Sequence, residues 1–355
     1  MTAGRPCIYG ADLSLLGTIP ARGGLRDRAG RPIQDPARFL RQTGFEWARL
    51  RLFHTPSGHG AQCNDLPYTL ALARTLKQAG FKFLLDLHYS DTWADPGKQY
   101  TPKAWAALDF EGLADAVHAY TRETVHRFVV EGAAPEMVQV GNEITPGMLW
   151  EHGRVEQGRG ADQQQWKRLG ALLKAGVAGV RDAAGTAVEI MLHLDRGGDI
   201  STNRWFFDHV LEQNVAFDVI GESYYPFWHG MPDALAQTIE YLGRRYGREV
   251  YLAEMAYPHK QDPMYENALS GDPAAWHRLV GEYPLTPDGQ RRFVADVVGI
   301  VRASKHGGGV FYWAPEWIPP QDPDYEDESD APACWARALF DDKGQALPAL
   351  EVFSG

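Results

Sequence analysis

Two glutamates in this chain each close an apolar, strand-like run. Glu143 ends Met137-Val138-Gln139-Val140-Gly141-Asn142-Glu143, and Glu254 ends Glu249-Val250-Tyr251-Leu252-Ala253-Glu254. A carboxylate at the tip of a buried strand is costly to keep unless a site uses it. Two of them, each followed by a loop rich in aromatics and proline, suit cleavage of a glycosidic bond, where one carboxyl group protonates the leaving oxygen and its partner acts on the sugar carbon. Asn142, directly before Glu143, adds an amide able to hold a sugar hydroxyl beside the acid.

Other polar and aromatic residues fall at the ends of similar runs. Arg49 and Arg51 lie two apart, so a strand would point both to one face. Asp86 and His88 share that spacing and are followed by Trp93; His193 and Asp195, Tyr224 and Tyr225, and Trp313 and Trp317 complete the set. Taken singly, a buried Arg or His is most often a satisfied structural group. Seven such strand ends together are hard to explain as packing.

The elements that must position these groups follow a recurring pattern of helix-like stretch, glycine and apolar strand. Gly44 precedes Phe45–Phe53, Gly80 precedes Phe81–His88 and Gly132 precedes Met137–Gly141. Gly185 precedes Val188–His193, Gly247 precedes Val250–Ala253 and Gly307–Gly309 precede Val310–Trp313. Glycine just past a helix end takes the left-handed conformation cheaply, so these read as helix C-caps leading into strands. Ile8–Leu13 and Phe217–Tyr224 bring the strands to eight. Leu70–Ala79, Trp166–Ala183 and Arg291–Ala303 carry helical apolar spacing, and Thr286-Pro287 supplies an N-cap with proline at the first helical position. The pattern predicts an α/β chain folded as a single (β/α)8 TIM barrel, one domain over residues 1–355. An open doubly wound sheet is the rival, disfavoured because no glycine-rich phosphate turn follows the first strand. Long connections after strands, at Asp91–Gly112, Met148–Gln165, Ala256–Pro287 and Glu316–Trp335, fall where a barrel builds its site.

Composition excludes several alternatives. A net charge of -11 argues against nucleic acid or an anionic membrane as partner, and no apolar run is long enough to span a bilayer. Cys7, Cys63 and Cys334 form no disulfide framework, though one pair stays open. The start of the chain, Met1 to Gly10, lacks the apolar core of a signal peptide.

Three segments carry a family resemblance: Gly-Asn-Glu-Ile-Thr-Pro-Gly-Met-Leu-Trp (141–150), Asp-Leu-His-Tyr-Ser-Asp-Thr-Trp-Ala-Asp-Pro (86–96) and Phe-Tyr-Trp-Ala-Pro-Glu-Trp-Ile (311–318). Supporting matches include Gly-Ala-Asp-Leu-Ser (10–14), Arg-Leu-Arg-Leu-Phe (49–53), His-Leu-Asp (193–195) and Ser-Tyr-Tyr-Pro-Phe (223–227). In order and spacing they resemble glycoside hydrolase family 53, the endo-β-1,4-galactanases of the retaining clan A barrels. The resemblance implies Glu143 as acid/base and Glu254 as nucleophile. It implies β-1,4-galactan or galacto-oligosaccharides as substrate, no required cofactor, and a monomer that is secreted or periplasmic. The chain's start leaves a cytoplasmic location open. On the residues themselves, Arg49 or Arg51 and Tyr225 are candidates to hold Glu254 ionised, and Asn142 would bond the sugar 2-hydroxyl. Trp93, Trp313 and Trp317 would stack on sugar rings, while Asp86, His88, His193 and Asp195 would bond hydroxyls or brace the glutamates. Some relatives bind calcium in rim loops. The acidic residues Asp322, Asp324, Glu326, Asp327, Glu328 and Asp330 show no regular ligand spacing and read as a solvated loop, so no metal site is expected.

Three other readings compete. A metal-dependent barrel hydrolase would use Asp86-x-His88 and His193-x-Asp195 as ligands, yet recognition of neutral sugar accounts for the same groups. A non-catalytic carbohydrate-binding protein would need one glutamate missing, and both are present. A mannanase or another clan A β-glycanase shares the catalytic pair and differs only at the rim.

Overall fold

The computed structural model describes residues 7–156, 163–261, 273–327 and 331–354. Eight parallel strands close into a barrel: β1 (Ile8–Asp12), β2 (Trp47–Leu52), β3 (Lys82–Leu87), β4 (Met137–Val140), β5 (Glu189–Leu194), β6 (Val219–Tyr224), β7 (Val250–Met255) and β8 (Gly307–Tyr312). Each pairs with its sequence neighbours, and β1 with β8 closes the ring. The expected (β/α)8 barrel is therefore the observed fold, and the open sheet is excluded. Helices cross between strands at Pro36–Gln42, Leu66–Gln78, Phe110–Val130, Gln163–Ala184, Ile200–Glu212, Pro232–Tyr246 and Pro287–Ala303. Among the described residues no helix is long and apolar enough to cross a membrane.

Period-2 alternation explains how the strands divide their side chains. Leu50, Leu52, Leu85, Leu87, Val138 and Val140 face outward into the core shared with the helices. Trp47, Leu84, Met137, Met191, Val219, Tyr251, Ala253 and Phe311 face inward and plug the barrel floor. One layer higher on the same inner face, polar residues replace apolar ones: Asp12, Arg49, Asp86, Gln139, His193 and Ser223 are all buried there. That layer is the foundation of the site.

Helix ends follow local chemistry. Asp65 accepts from Tyr68 N at 2.8 Å, with Pro67 in the first turn, so the second helix starts at Leu66, four residues before the apolar spacing alone suggested. Thr286 Oγ1 accepts from Gly289 N at 3.1 Å with Pro287 at the first helical position, as expected. The glycines at 44, 80, 132, 185 and 247 all have positive φ. At Gly44 a second constraint operates, because a Cβ there would sit 1.7 Å from the Phe353 carbonyl oxygen.

Two departures from the sequence pattern are informative. Gly307–Gly309 are part of β8 rather than a cap before it. Their requirement is space: a Cβ on Gly308 would lie 2.3 Å from the Tyr251 ring, and one on Gly309 would lie 2.7 Å from Ile8. The eighth helix position is taken by a 3-10 turn, Pro348–Phe353, which sets Phe353 against Phe45 at 4.5 Å between ring centroids. All three cysteines are free thiols.

Candidate active site

Strand geometry delivers both glutamates to the barrel mouth, each by a local irregularity. Alternation along β7 would point Tyr251 and Ala253 inward and Glu254 outward. The register against β6 runs Glu222 with Leu252, then Ser223 with Glu254, and the pairing with β8 shifts at the same place. One extra residue on β7 thus forms a bulge that turns Glu254 inward beside Ser223. Glu143 follows β4 with φ at +48°, a left-handed conformation that is strained for a residue with a side chain. One carboxylate oxygen of Glu143 and one of Glu254 lie within 4.8 Å of each other.

The two carboxyl groups have different surroundings. Glu254 is buried; Arg49 Nη2 stands 2.9 Å from its Oε1, and the Tyr225 hydroxyl donates to its Oε2 at 2.9 Å. Of the two arginines considered, Arg49 holds Glu254. Arg51 instead lies 3.4 Å from Asp12 and places its guanidinium 4.2 Å from the centre of the Trp93 ring. Glu143 faces the cleft with Ser223 Oγ at 2.5 Å and, among the described residues, no cation bonded to it. Burial lifts the carboxyl pKa of both glutamates, and the negative charges of Glu254 and Asp195 lift Glu143 further. Only Glu254 has Arg49 and Tyr225 to favour its charged form, so the shared proton belongs on Glu143.

A buried polar network fixes this asymmetry. Arg49 donates to Asp12 and Asp86 at 2.8 Å each and to Asn142 Oδ1 at 2.7 Å, while Gln139 Oε1 receives its Nε at 3.3 Å. Gln139 Nε2 donates to Asp86 at 2.6 Å. Asn142 Nδ2 gives one hydrogen to Ala94 O at 2.9 Å, which leaves its second for the cleft that Asn142 lines. His193 bridges Asn142 Oδ1 at 3.0 Å and Ser223 Oγ at 2.9 Å, and so reaches Glu143 through one hydroxyl. Burial and the Arg49 charge push the His193 pKa well below its usual value and keep the ring neutral. His88 accepts from Ala94 N at 3.1 Å through Nδ1, which leaves Nε2 to donate to Asp86 at 2.9 Å.

The structure places the other expected residues at different depths. Asp86 and His193 are fully buried, Asp86 bonded to Arg49 and His88, and His193 to Asn142 and Ser223. Trp317 is 1% exposed, beneath Trp93 with near-parallel rings 6.1 Å apart, and its indole N–H donates to Asp327. It lines the cleft beside Trp93 with almost no accessible surface of its own. Trp93 has Arg51 over its ring and stays partly exposed, and Trp313 is 9% exposed beside it. Asp195 sits at the cleft edge paired with Arg196; burial raises its pKa to about 6, opposed by that arginine. Asp327 is not a solvated acid, since its side chain is 5% exposed and accepts from Arg22, Trp317 and Trp335. Asp322 and Asp324 are exposed as expected, whereas Glu328 and Asp330 lie outside the described residues. Parts of two long rim loops, at 157–162 and 262–272, lie outside them too.

Among the described residues, the carboxylate and imidazole atoms that come together in a metal-compatible way are those of Glu143, His193 and Glu254, not the Asp86-x-His88 and His193-x-Asp195 pairs. A cation there would face the Arg49 guanidinium at ion-pair distance from Glu254, so the donor set does not suit a metal. The cleft over the glutamates measures about 520 Å³, and its walls include Trp93, Trp228, Trp313 and Arg337. Ser223, Gln139, Trp228 and Arg337 had no assigned role in the sequence. Ser223 and Gln139 were findable, lying two residues before Tyr225 and Gly141 on inward-facing positions; Trp228 sits on a single helical turn, Pro226–His229, and Arg337 on a turn after Ala331–Trp335, and neither is long enough to show a period.

The chain is similar to known proteins over nearly its whole length. The model of glycosyl hydrolase family 53 matches residues 8–353. An uncharacterised protein of Niallia circulans is 40% identical over 97% of this chain and 93% of its own length. An arabinogalactan endo-β-1,4-galactanase of Cellvibrio japonicus is 32% identical over 98% of this chain and 90% of its own. The solved family 53 catalytic domain of Ignisphaera aggregans superposes with a TM-score of 0.85 at 31% identity, covering 99% of this chain and 96% of that one.

Proposed function

The chain belongs to glycosyl hydrolase family 53, and from that premise we propose that it is a retaining endo-β-1,4-galactanase acting on the β-1,4-galactan of type I arabinogalactan and pectin side chains. The observation that carries the mechanism is the pair of carboxylate oxygens within 4.8 Å, of which, among the described residues, Glu254 alone is ion-paired. A retaining pair stands about 5–5.5 Å apart, whereas an inverting pair needs roughly 6.5–9.5 Å to admit a water.

In the proposed reaction Glu254, ionised by Arg49 and Tyr225, attacks the anomeric carbon. Glu143 gives its proton to the glycosidic oxygen as the carbon–oxygen bond breaks, and the shortened chain leaves as an alcohol. Glu143 is then a carboxylate. It takes a proton from water, whose oxygen attacks the same carbon and releases Glu254 with net retention. The free Asn142 hydrogen is placed to hold the sugar 2-hydroxyl, a bond that strengthens as positive charge develops on the ring. The whole chain, 1–355, acts as one catalytic barrel and as a monomer without a cofactor. Its polymeric substrate places its work outside the cytoplasm.

The test is product analysis on pure β-1,4-galactan, β-1,4-mannan, xylan and cellulose. Short galacto-oligosaccharides from galactan alone are expected; cleavage of another glycan instead would overturn the substrate and leave the glutamate pair. Replacing Glu254 by Gln should remove turnover while keeping oligosaccharide binding. Near-normal rates in that variant would refute the nucleophile.

A further inference from the structure

Glu143 enters the cleft on a left-handed backbone, and one side chain from another loop fits that backbone. The ladder of β4 ends at Gly141, whose N–H donates to Leu87 O at 3.1 Å. Glu143 follows with its φ of +48°. Among the described residues no backbone N–H reaches the carbonyl of Asn142 or of Glu143. Gln99 serves both: its Nε2 donates to Asn142 O at 2.8 Å and to Glu143 O at 3.2 Å. Successive carbonyls point to opposite sides of an extended strand, so one amide nitrogen cannot meet two of them there. It can meet them where the chain turns, and left-handed Glu143 is that turn. The two bonds therefore favour the strained conformer over an extended one.

Gln99 is itself held from elsewhere. It is buried in the loop after β3, and its carbonyl accepts from Trp150 N at 2.7 Å. Thr101 Oγ1 donates to Trp150 O at 2.8 Å, and Asp95 and Lys98 exchange backbone bonds of 2.9 and 3.0 Å just before. The Asn142 side chain has supports of its own in Arg49, Gln139, His193 and Ala94 O. Loss of the Gln99 amide therefore falls mainly on Glu143. Resting on the galactanase reading above, we propose that Gln99 is a positioning residue for proton transfer: its amide holds the left-handed turn at Glu143 and so aims the acid at the glycosidic oxygen. An acid out of place leaves Glu254 where Arg49 and Tyr225 hold it, on a different strand. Gln99 thus governs protonation of the leaving group and spares the nucleophile.

The experiment separates those two parts of the first step, which kcat/KM reports. Gln99→Leu removes both donors and keeps most of the volume. On galactan, whose leaving group needs a proton, kcat/KM should fall about tenfold to a hundredfold, the scale of two lost hydrogen bonds. On an aryl galactobioside with an acidic phenol as leaving group, it should fall less than about threefold. Across a series of aryl galactobiosides of rising phenol pKa, log kcat/KM should therefore drop more steeply in the variant than in the parent. Gln99→Met, unbranched and lacking the donors, is read the same way if the leucine variant does not fold. Equal losses on galactan and on every aryl substrate overturn the inference, because a site merely loosened slows both alike. An unchanged rate on galactan overturns it too, and either result leaves the galactanase reading standing. A parent enzyme that cleaves no galactoside overturns both.

Discussion

Tyr225→Phe removes one hydrogen-bond donor and almost no volume, and its effect can be worked from the site. The hydroxyl donates to Glu254 Oε2 at 2.9 Å, with Tyr225 5% and Glu254 6% exposed, so water screens the bond little. A hydrogen bond to a charged group contributes about 1.5–3 kcal/mol. At roughly 1.36 kcal/mol per pH unit, its loss should raise the pKa at which Glu254 ionises by about 1–2 units. Arg49 remains at 2.9 Å, so the group still ionises, only later. The assay is the pH profile of kcat/KM on a galacto-oligosaccharide. The acid limb, which reports Glu254 losing its proton, should move up by that amount. The alkaline limb should stay in place, because Glu254 is already ionised there in both enzymes and acts on Glu143 with the same charge. An acid limb that does not move, or a shift of the alkaline limb instead, would show that Tyr225 does not hold the nucleophile's charge.

Three more outcomes are expected. Asp195→Asn should move the alkaline limb down by roughly one unit, since the Asp195 charge lifts Glu143 and its removal leaves Arg196 uncompensated beside the site; an unmoved limb would separate Asp195 from the acid. Glu143→Ala should cost far more on galactan than on an aryl galactobioside whose leaving group needs little protonation, and equal losses would count against the acid/base assignment. Glu316 is fully buried with its pKa raised from 4.5 to about 8, burial being the main cause and the Asp12 charge the next. The folded state therefore holds this proton more tightly than the unfolded one. That advantage is complete below pH 4.5 and is lost as pH climbs through 8, an upper bound of roughly 5 kcal/mol. Glu316→Gln has no proton to lose, so urea melts should show its stability relative to the parent improving between pH 5 and pH 9. A constant difference would mean that Glu316 ionises freely.

The barrel was legible because its signals are periodic. Apolar runs such as Phe81–His88 and capping glycines such as Gly80 and Gly132 repeat at the interval of one strand and one helix. The same alternation put Arg49 and Arg51, or Asp86 and His88, on one face. It could not show the bulge at Ala253 and Glu254, because an inserted residue leaves a sequence of ordinary strand formers. Nor could it sort the site residues by depth. His193 and Trp317 carry the same side chains as exposed residues would, and only depth in the barrel, at 0% and 1% exposure, sets them apart. Gly307–Gly309 read as a cap because a glycine required for space and one required for φ look identical in the chain; only the Tyr251 ring against Gly308 distinguishes them.

The Arg49 network has one more consequence. Asp12, Asp86 and Glu254 bring three formal negative charges to the barrel centre, against the two positive charges of Arg49 and Arg51. The resting centre thus carries one surplus negative charge at the foot of the cleft. When Glu254 becomes an ester in the proposed intermediate, Glu143 has given up its proton, so the surplus passes across less than 4.8 Å from the arginine layer to the cleft wall. The buried layer is then balanced, and the negative charge stands on the residue that must next take a proton from water.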